Sequence, residues 1–349
     1  MSSREIRKIL VRGTNWLGDA VMTIPALQQL RTSFPQAHIT LLAPPRAAEV
    51  FTGFAQVDEI IVYRRKEQGK RAFLHAVQQL RREQVDLALL FQNAFEAALL
   101  AFLGRAQVRI GYDTQGRGAL LTHKLKRSEQ NRNRHQTNDY LDLVAEAERI
   151  CLGSTAAAVR KTIPALTASA EQRQVAAKFL PPTGKRIALN VGATNSRAKC
   201  WPEDRFAALA DRMVAELNAQ IVLIGAGSER ENAARVIAQM QHPDAAKNLA
   251  GETSIAALMG VLASCDLLVT NDTGPAHVSA ALSIPTLTIF GPTNEFETAP
   301  LGVRAELIRA KGIECARCMH RECPIDHRCM TRITVDAVAE KVYSLLEKI

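Results

Sequence analysis

The chain has 349 residues, 47% apolar and 23% charged, a composition that supplies two globular cores and excludes a disordered or fibrous protein. Its formal net charge of +9 lies mainly in the first half, where Lys and Arg outnumber Asp and Glu by 22 to 15 over residues 1–150, against 22 to 20 over 151–349. Aromatic content of 5% argues against a base-stacking or sugar-stacking platform, and with no secretory leader and no apolar run of membrane-spanning length a cytoplasmic protein is expected.

In chain order, Ile9–Val11 reads as a strand leading into the glycine-bearing loop Arg12-Gly13-Thr14-Asn15-Trp16-Leu17-Gly18-Asp19, and apolar spacing predicts one helix from Ala20 to Phe34. Strands are expected at 39–42, 60–63, 87–91 and 109–112, with helices at 47–51, 72–82 and 94–103 between them. Between Tyr63 and the helix at 72–82 lies the basic segment Arg64-Arg65-Lys66-Glu67-Gln68-Gly69-Lys70-Arg71. From Gly116 to Arg134 the periodicity dissolves into a cationic stretch read as a mobile loop, and helical spacing resumes at 139–151. These residues make an N-terminal domain, 1–165, and the Ala- and Pro-rich stretch after it gives a linker, 166–184, with a helix near 168–179. The C-terminal domain, 185–333, repeats the grammar with strands at 187–190 and 221–224 and helices at 202–217, 230–240 and 255–264. A terminal amphipathic helix covers 334–349. Strands alternating with helices predict α/β architecture with two doubly wound, mostly parallel sheets.

The segment Cys265–Pro292 is read as strand, polar turn, small-residue helix and strand, a βαβ unit whose turn carries Asp272, Thr273 and Gly274 to a helix N-terminus. The amides there face the positive end of a helix dipole, a seat for phosphate, and ligands of open parallel sheets collect at this carboxyl edge. The turn Gly192-Ala193-Thr194-Asn195 and the nearby Lys199 add donors and a cation just before another helix; an ordinary capped turn with a surface lysine is the alternative. Asp19 follows Gly18 at the end of the first loop, where it serves either as a helix-start residue or as a base that takes a proton from a hydroxyl. Gly225-Ala226-Gly227 lacks the third glycine of a dinucleotide fingerprint, since Arg230 stands in its place, and no P-loop sequence occurs.

Taken together, Gly13–Asp19, Thr194–Pro202 and Asn271–His277 resemble, in order and spacing, the ADP-heptose lipopolysaccharide heptosyltransferase family, glycosyltransferase family 9. The Asn-Trp-Leu-Gly-Asp form of the first motif is more similar to heptosyltransferase II than to the enzyme that adds the first heptose. The resemblance implies a GT-B fold, two Rossmann-like domains with a cleft between them, and inverting transfer of heptose from ADP-heptose to the lipopolysaccharide inner core. It implies Asp19 as catalytic base, and donor contacts from Thr194, Asn195, Lys199, Glu229, Asp272, Thr273, Gly274 and His277. Asn15, Gly18, Arg64, Arg65 and Arg117 are candidates for the acceptor, a Kdo/heptose-lipid A anion, and the basic half is expected to lie peripherally on the cytoplasmic face of the inner membrane. No Asp-x-Asp occurs, which fits a transferase needing no metal cofactor, and a monomer is expected.

Cys315-x2-Cys318-x4-Cys323-x5-Cys329, with His320 and His327 interleaved, leaves two readings open: a structural zinc or iron–sulfur site, or packed thiols that pair on oxidation. A related transferase using another sugar or adding the first heptose is the nearest rival function. A zinc-containing nucleic-acid-binding protein and a Rossmann oxidoreductase are the others; neither explains all three motifs, and no nucleic-acid partner is expected.

Overall fold

The computed structural model describes residues 5–127, 133–153, 162–180, 184–194 and 196–347, so Asn195 and Arg132 lie outside the described residues. The chain divides into two compact units, Met1–Pro164 and Ala165–Ile349. In the first, strands β1 (Lys8–Arg12), β2 (His38–Ala43), β3 (Glu59–Val62), β4 (Leu87–Leu90), β5 (Val108–Tyr112) and β6 (His123–Leu125) form one sheet in the order β3-β2-β1-β4-β5-β6. The second contains β7 (Arg186–Asn190), β8 (Gln220–Leu223), β9 (Ala246–Asn248), β10 (Leu267–Asn271), β11 (Thr286–Phe290) and β12 (Ala305–Arg309), ordered β12-β11-β10-β7-β8-β9. All ten pairings are parallel, and both sheets read 3-2-1-4-5-6 within their own unit. Strand order therefore reverses between β1 and β4 in one unit and between β7 and β10 in the other, where doubly wound sheets open a crevice.

The middles of the central strands are apolar because helices cover both faces. Leu10, Leu42, Ala88 and Leu90 meet Ala76, Val77 and Leu80 of the helix Lys70–Glu83 and Ala98 and Leu100 of the helix Phe95–Leu103. In the other unit Leu189, Leu223, Val269 and Ile289 share a core with Phe206, Met213, Val338 and Val342.

Three local differences have physical causes. The helix expected over 20–34 is two helices, Leu17–Met22 and Ile24–Ser33, because Pro25 has no N–H for the bond that would continue the first. The cationic stretch after Gly116 is not a simple loop: it contains a turn, Arg117–Leu120, and the three-residue β6, paired with β5 from Ile110 to Tyr112. In the segment 166–180, Ser169 and Gln172 form a reciprocal capping box that starts the helix Ala170–Ala177.

That helix crosses Ile255–Leu262 at Gly260, where an added Cβ would run into the Gln172 carbonyl and meet the Ala176 Cβ at 3.1 Å. Since alanine otherwise favours a helix by about 1 kcal/mol over glycine, Gly260→Ala tests the crossing with its sign. Thermal and urea denaturation should show a loss of about 1–3 kcal/mol, because backbone obstructs the methyl; a gain would mean that the two helices are not in this contact.

Candidate functional site

The carboxyl edge of the C-terminal sheet is built around three consecutive residues at the end of β10. Asn271, fully buried, donates from Nδ2 to the Val191 and Gly192 carbonyls (2.9 and 3.2 Å), and its Oδ1 accepts the Trp201 amide (3.0 Å). One side chain thereby sets both ends of the loop that carries Lys199. Lys199 Nζ reaches the Asp272 carboxylate at 2.9 Å and the Asp272 carbonyl at 3.3 Å. Asp272 Oδ2 also accepts the Thr293 hydroxyl at 2.8 Å, from the loop after β11. Thr273 accepts Asn190 Nδ2 at 2.9 Å and precedes the helix Gly274–Ala281, whose first turn includes Pro275 and the buried His277.

The electrostatics follow from burial. Only 6% of the Asp272 side chain is exposed, against 27% for Lys199. The carboxylate is enclosed, and the ammonium is its link to solvent. An ammonium has three N–H donors; two point at Asp272, and one remains for an incoming anion. With the orphan amides of the helix start, these groups can receive a diphosphate.

Glu229 lies in the turn after β8, buried, with Oε2 accepting the Ala226 amide at 2.8 Å and Oε1 accepting the Thr194 hydroxyl at 3.3 Å. A Cβ on Gly192 would overlap its carboxyl group, and one on Gly225 would meet Oε2 at 2.7 Å. Gly225 also has φ +159°, near extended, so side-chain space and not backbone strain explains both glycines. An ionised carboxylate only accepts hydrogen bonds, which suits paired hydroxyls on a ligand.

In the N-terminal unit Asp19 is partly buried in the first turn of Leu17–Met22. The N-cap is Trp16, whose side chain makes no capping bond, so Asp19 is not the cap. It lies near the buried Tyr140, whose hydroxyl is pushed well above its usual range by burial first and the Asp19 charge second. Asn15 and Trp16 beside it are exposed and Gly18 is partly buried. Thr14 Oγ1 is buried without a hydrogen-bond partner among the described residues.

The basic candidates separate. Arg64 is exposed; Arg65 is held by Glu96 at 2.8 Å. Arg117, expected at the acceptor, is instead fully buried, donating to the carbonyls of Tyr112 (2.8 Å), Gln92 (2.5 Å) and Ala94 (3.4 Å) and to Asn93 Oδ1 (2.9 Å). It braces the loops after β4 and β5. Arg12, not singled out by sequence, is buried too, bonded to the Gly13 and Leu42 carbonyls and lying 5.2 Å from the Tyr63 ring centroid. Burial pushes both guanidinium groups down to about 10.

All seven cysteines are free. Cys315 and Cys318 are exposed, Cys323 is partly exposed, and Cys329 is buried, its thiol pushed up to about 11 by burial and then by the other three. Among the described residues no three or more His, Cys, Asp or Glu side chains gather closely enough to hold a metal ion.

Sequence reasoning missed Asn190, Asn271, Thr293 and the Glu96 link. The polar residue closing each apolar run at Asn190 and Asn271 was the available signal, since nothing else in those strands needs an amide.

The profile described as glycosyltransferase family 9 (heptosyltransferase) matches residues 73–328. Lipooligosaccharide heptosyltransferase 2 of Campylobacter jejuni is 28% identical, with 97% of this chain and 99% of the relative aligned. Lipopolysaccharide heptosyltransferase 2 of Salmonella typhimurium is 29% identical, with 98% and 99% aligned. Among solved structures, Escherichia coli ADP-heptose lps heptosyltransferase II superposes with a TM-score of 0.83 at 26% identity, covering 98% of this chain and 99% of that one. The two parallel sheets thus share the GT-B fold, and the chain belongs to glycosyltransferase family 9, the heptosyltransferases, and is a glycosyltransferase.

Proposed function

We propose that the chain transfers heptose from ADP-heptose to the lipopolysaccharide inner core, at an acceptor that already carries heptose, with inversion at the anomeric carbon. The observation that carries the donor half is Lys199, fixed on Asp272 beside a helix start with one donor left over. The acceptor half rests on near-full-length similarity to proteins named heptosyltransferase 2.

In this reading Asp19 accepts the proton of the acceptor hydroxyl as its oxygen bonds to the anomeric carbon, and the bond from that carbon to the diphosphate breaks. The charge developing on ADP is met by Lys199 and the helix amides, which supply what a metal supplies elsewhere. Glu229 accepts ribose hydroxyls, and Thr194, bonded to it, contributes with Asn195, the next residue in sequence. Gly274 gives the phosphates close approach to the backbone, Thr273 is held ready by Asn190, and His277 is buried in the first turn of the same helix. Asp272 acts mainly through Lys199.

Asn15, Gly18 and the exposed Arg64 remain acceptor candidates, and Arg65 serves as an anchor through Glu96. No helix among the described residues is long and apolar enough to cross a membrane, and the excess of cations in the first 150 residues supports a peripheral approach to an anionic membrane surface on the cytoplasmic side. A single chain suffices for this chemistry.

Asp19 belongs to the N-terminal unit and the ADP contacts to the C-terminal unit, so binding and turnover should separate. Asp19→Asn should lower kcat about 10²–10⁴-fold and leave calorimetric ADP affinity unchanged; near-normal turnover removes the base assignment. Lys199→Ala should weaken ADP binding about 10- to 100-fold, the range for a charge-assisted bond, and unchanged affinity would discard its phosphate role. Transfer to a heptose-bearing core acceptor, compared with one lacking heptose, decides the step: product from the first alone is expected, and product from the bare acceptor would reassign the chain to the first heptose.

A further inference from the structure

The cysteine-bearing segment takes no part in this chemistry, yet it reaches both loops that hold Asp272. On the Lys199 side, the Ala198 amide donates to the Arg321 carbonyl at 3.0 Å, the Ser196 hydroxyl reaches the same oxygen at 3.4 Å, and His327 Nε2 lies 2.7 Å from the Ala198 carbonyl. A carbonyl only accepts, so His327 Nε2 carries the proton and donates. On the Thr293 side, the Met319 amide donates at 2.9 Å to the carbonyl of Pro292, the residue before Thr293. Lys199 and Thr293 share one oxygen of Asp272, and the loops that carry them are tied to one segment.

The segment is anchored at both ends. Arg317 pairs with the buried Glu295 at 2.5 Å and stands 4.8 Å from the Phe296 ring centroid; Glu295 is also held by Arg309. Cys329 and Met330 pack beneath Gly291, where a Cβ would strike the Met330 sulfur and meet Cys329 Sγ at 3.3 Å. Within the segment, Arg317, Met319 and His327 all hold positive φ, at 63°, 59° and 57°. Such conformations are disfavoured for residues with a Cβ and persist where surrounding bonds impose them.

We propose that this segment is a brace for the donor-phosphate lysine and that His327 is a positioning residue, acting through Lys199 by fixing the Ala198 peptide. The inference rests on the reading of Lys199 as a diphosphate ligand. It gives the cysteine-rich stretch a task at the donor site that its backbone and His327 perform.

The test is a double-mutant cycle read by calorimetry with ADP on the full chain. His327→Asn keeps a residue that tolerates φ near 57° but shortens the amide so that it no longer reaches Ala198, whereas His327→Gln restores an N–H at similar distance. His327→Asn should weaken ADP about 3- to 10-fold, the size of one hydrogen bond, and lower kcat at saturating donor, because Lys199 also meets the charge that develops on ADP, and His327→Gln should recover most of both losses. In a Lys199→Ala background, His327→Asn should add less than about twofold, because the contact it supports is already gone. Losses that multiply in the double variant, an unaltered affinity in His327→Asn, or a His327→Gln as weak as His327→Asn each overturn the proposal. A wild-type chain that does not bind ADP removes the donor reading and this inference together, so the two failures are distinguishable.

Discussion

A carboxylate enclosed at the end of a central strand must be compensated, and much of the C-terminal unit is arranged to compensate Asp272. An unpaired buried charge costs several kcal/mol, so the Lys199 and Thr293 contacts on one oxygen are a structural requirement before they are a functional one. The topology supplies them. β10 lies between β7 and β11, so the loops leaving both neighbours emerge beside its end, and Lys199 and Thr293 belong to those loops. A lysine recruited to satisfy Asp272 is also a lysine held still, which would lower the entropy lost if an anion accepted a hydrogen bond from its third N–H.

The N-terminal sheet has the same strand order and a different chemistry at its edge. Two of the buried charges there are guanidinium groups, and carbonyl oxygens compensate them. Arg12 gathers the ends of β1 and β2, and Arg117 gathers the loops after β4 and β5. Both remain cationic at neutral pH even with burial lowering them to about 10. Five donors in a planar fork make arginine suited to holding several carbonyls at once. Part of the positive excess of this half is therefore architectural, and Arg64 is among the cations that stay exposed.

Long central strands and strong amphipathic helices were legible because their pattern is local. β1, β4, β7 and β10 read as apolar runs, and Lys70–Glu83 shows its buried stripe at Ala72, Ala76, Val77 and Leu80. β6, β9 and β12 were not, since three to five residues with polar members become strands only through a neighbour's hydrogen bonds. The same division governs the site. Asp19, Glu229 and the Asp272–Gly274 turn stand in recognisable contexts, whereas Thr293 meets Asp272 across 21 residues and Glu96 meets Tyr63 across 33. No composition or spacing reports such pairs.

Arg117 shows how residue type misleads when context is missing. An arginine in a cationic stretch reads as a ligand for anions, but a glycine on either side and β6 beyond let it fold inward. Four cysteines in fifteen residues leave a metal site and packed thiols both open in the sequence, sulfur being the conspicuous chemistry. What the fold uses from the same stretch is less conspicuous: the Arg321 carbonyl, the Met319 amide and the His327 ring, all directed at the two loops around Asp272. Peptide groups carry no signature in a sequence, so a segment that works through its backbone is visible only once the chain is folded.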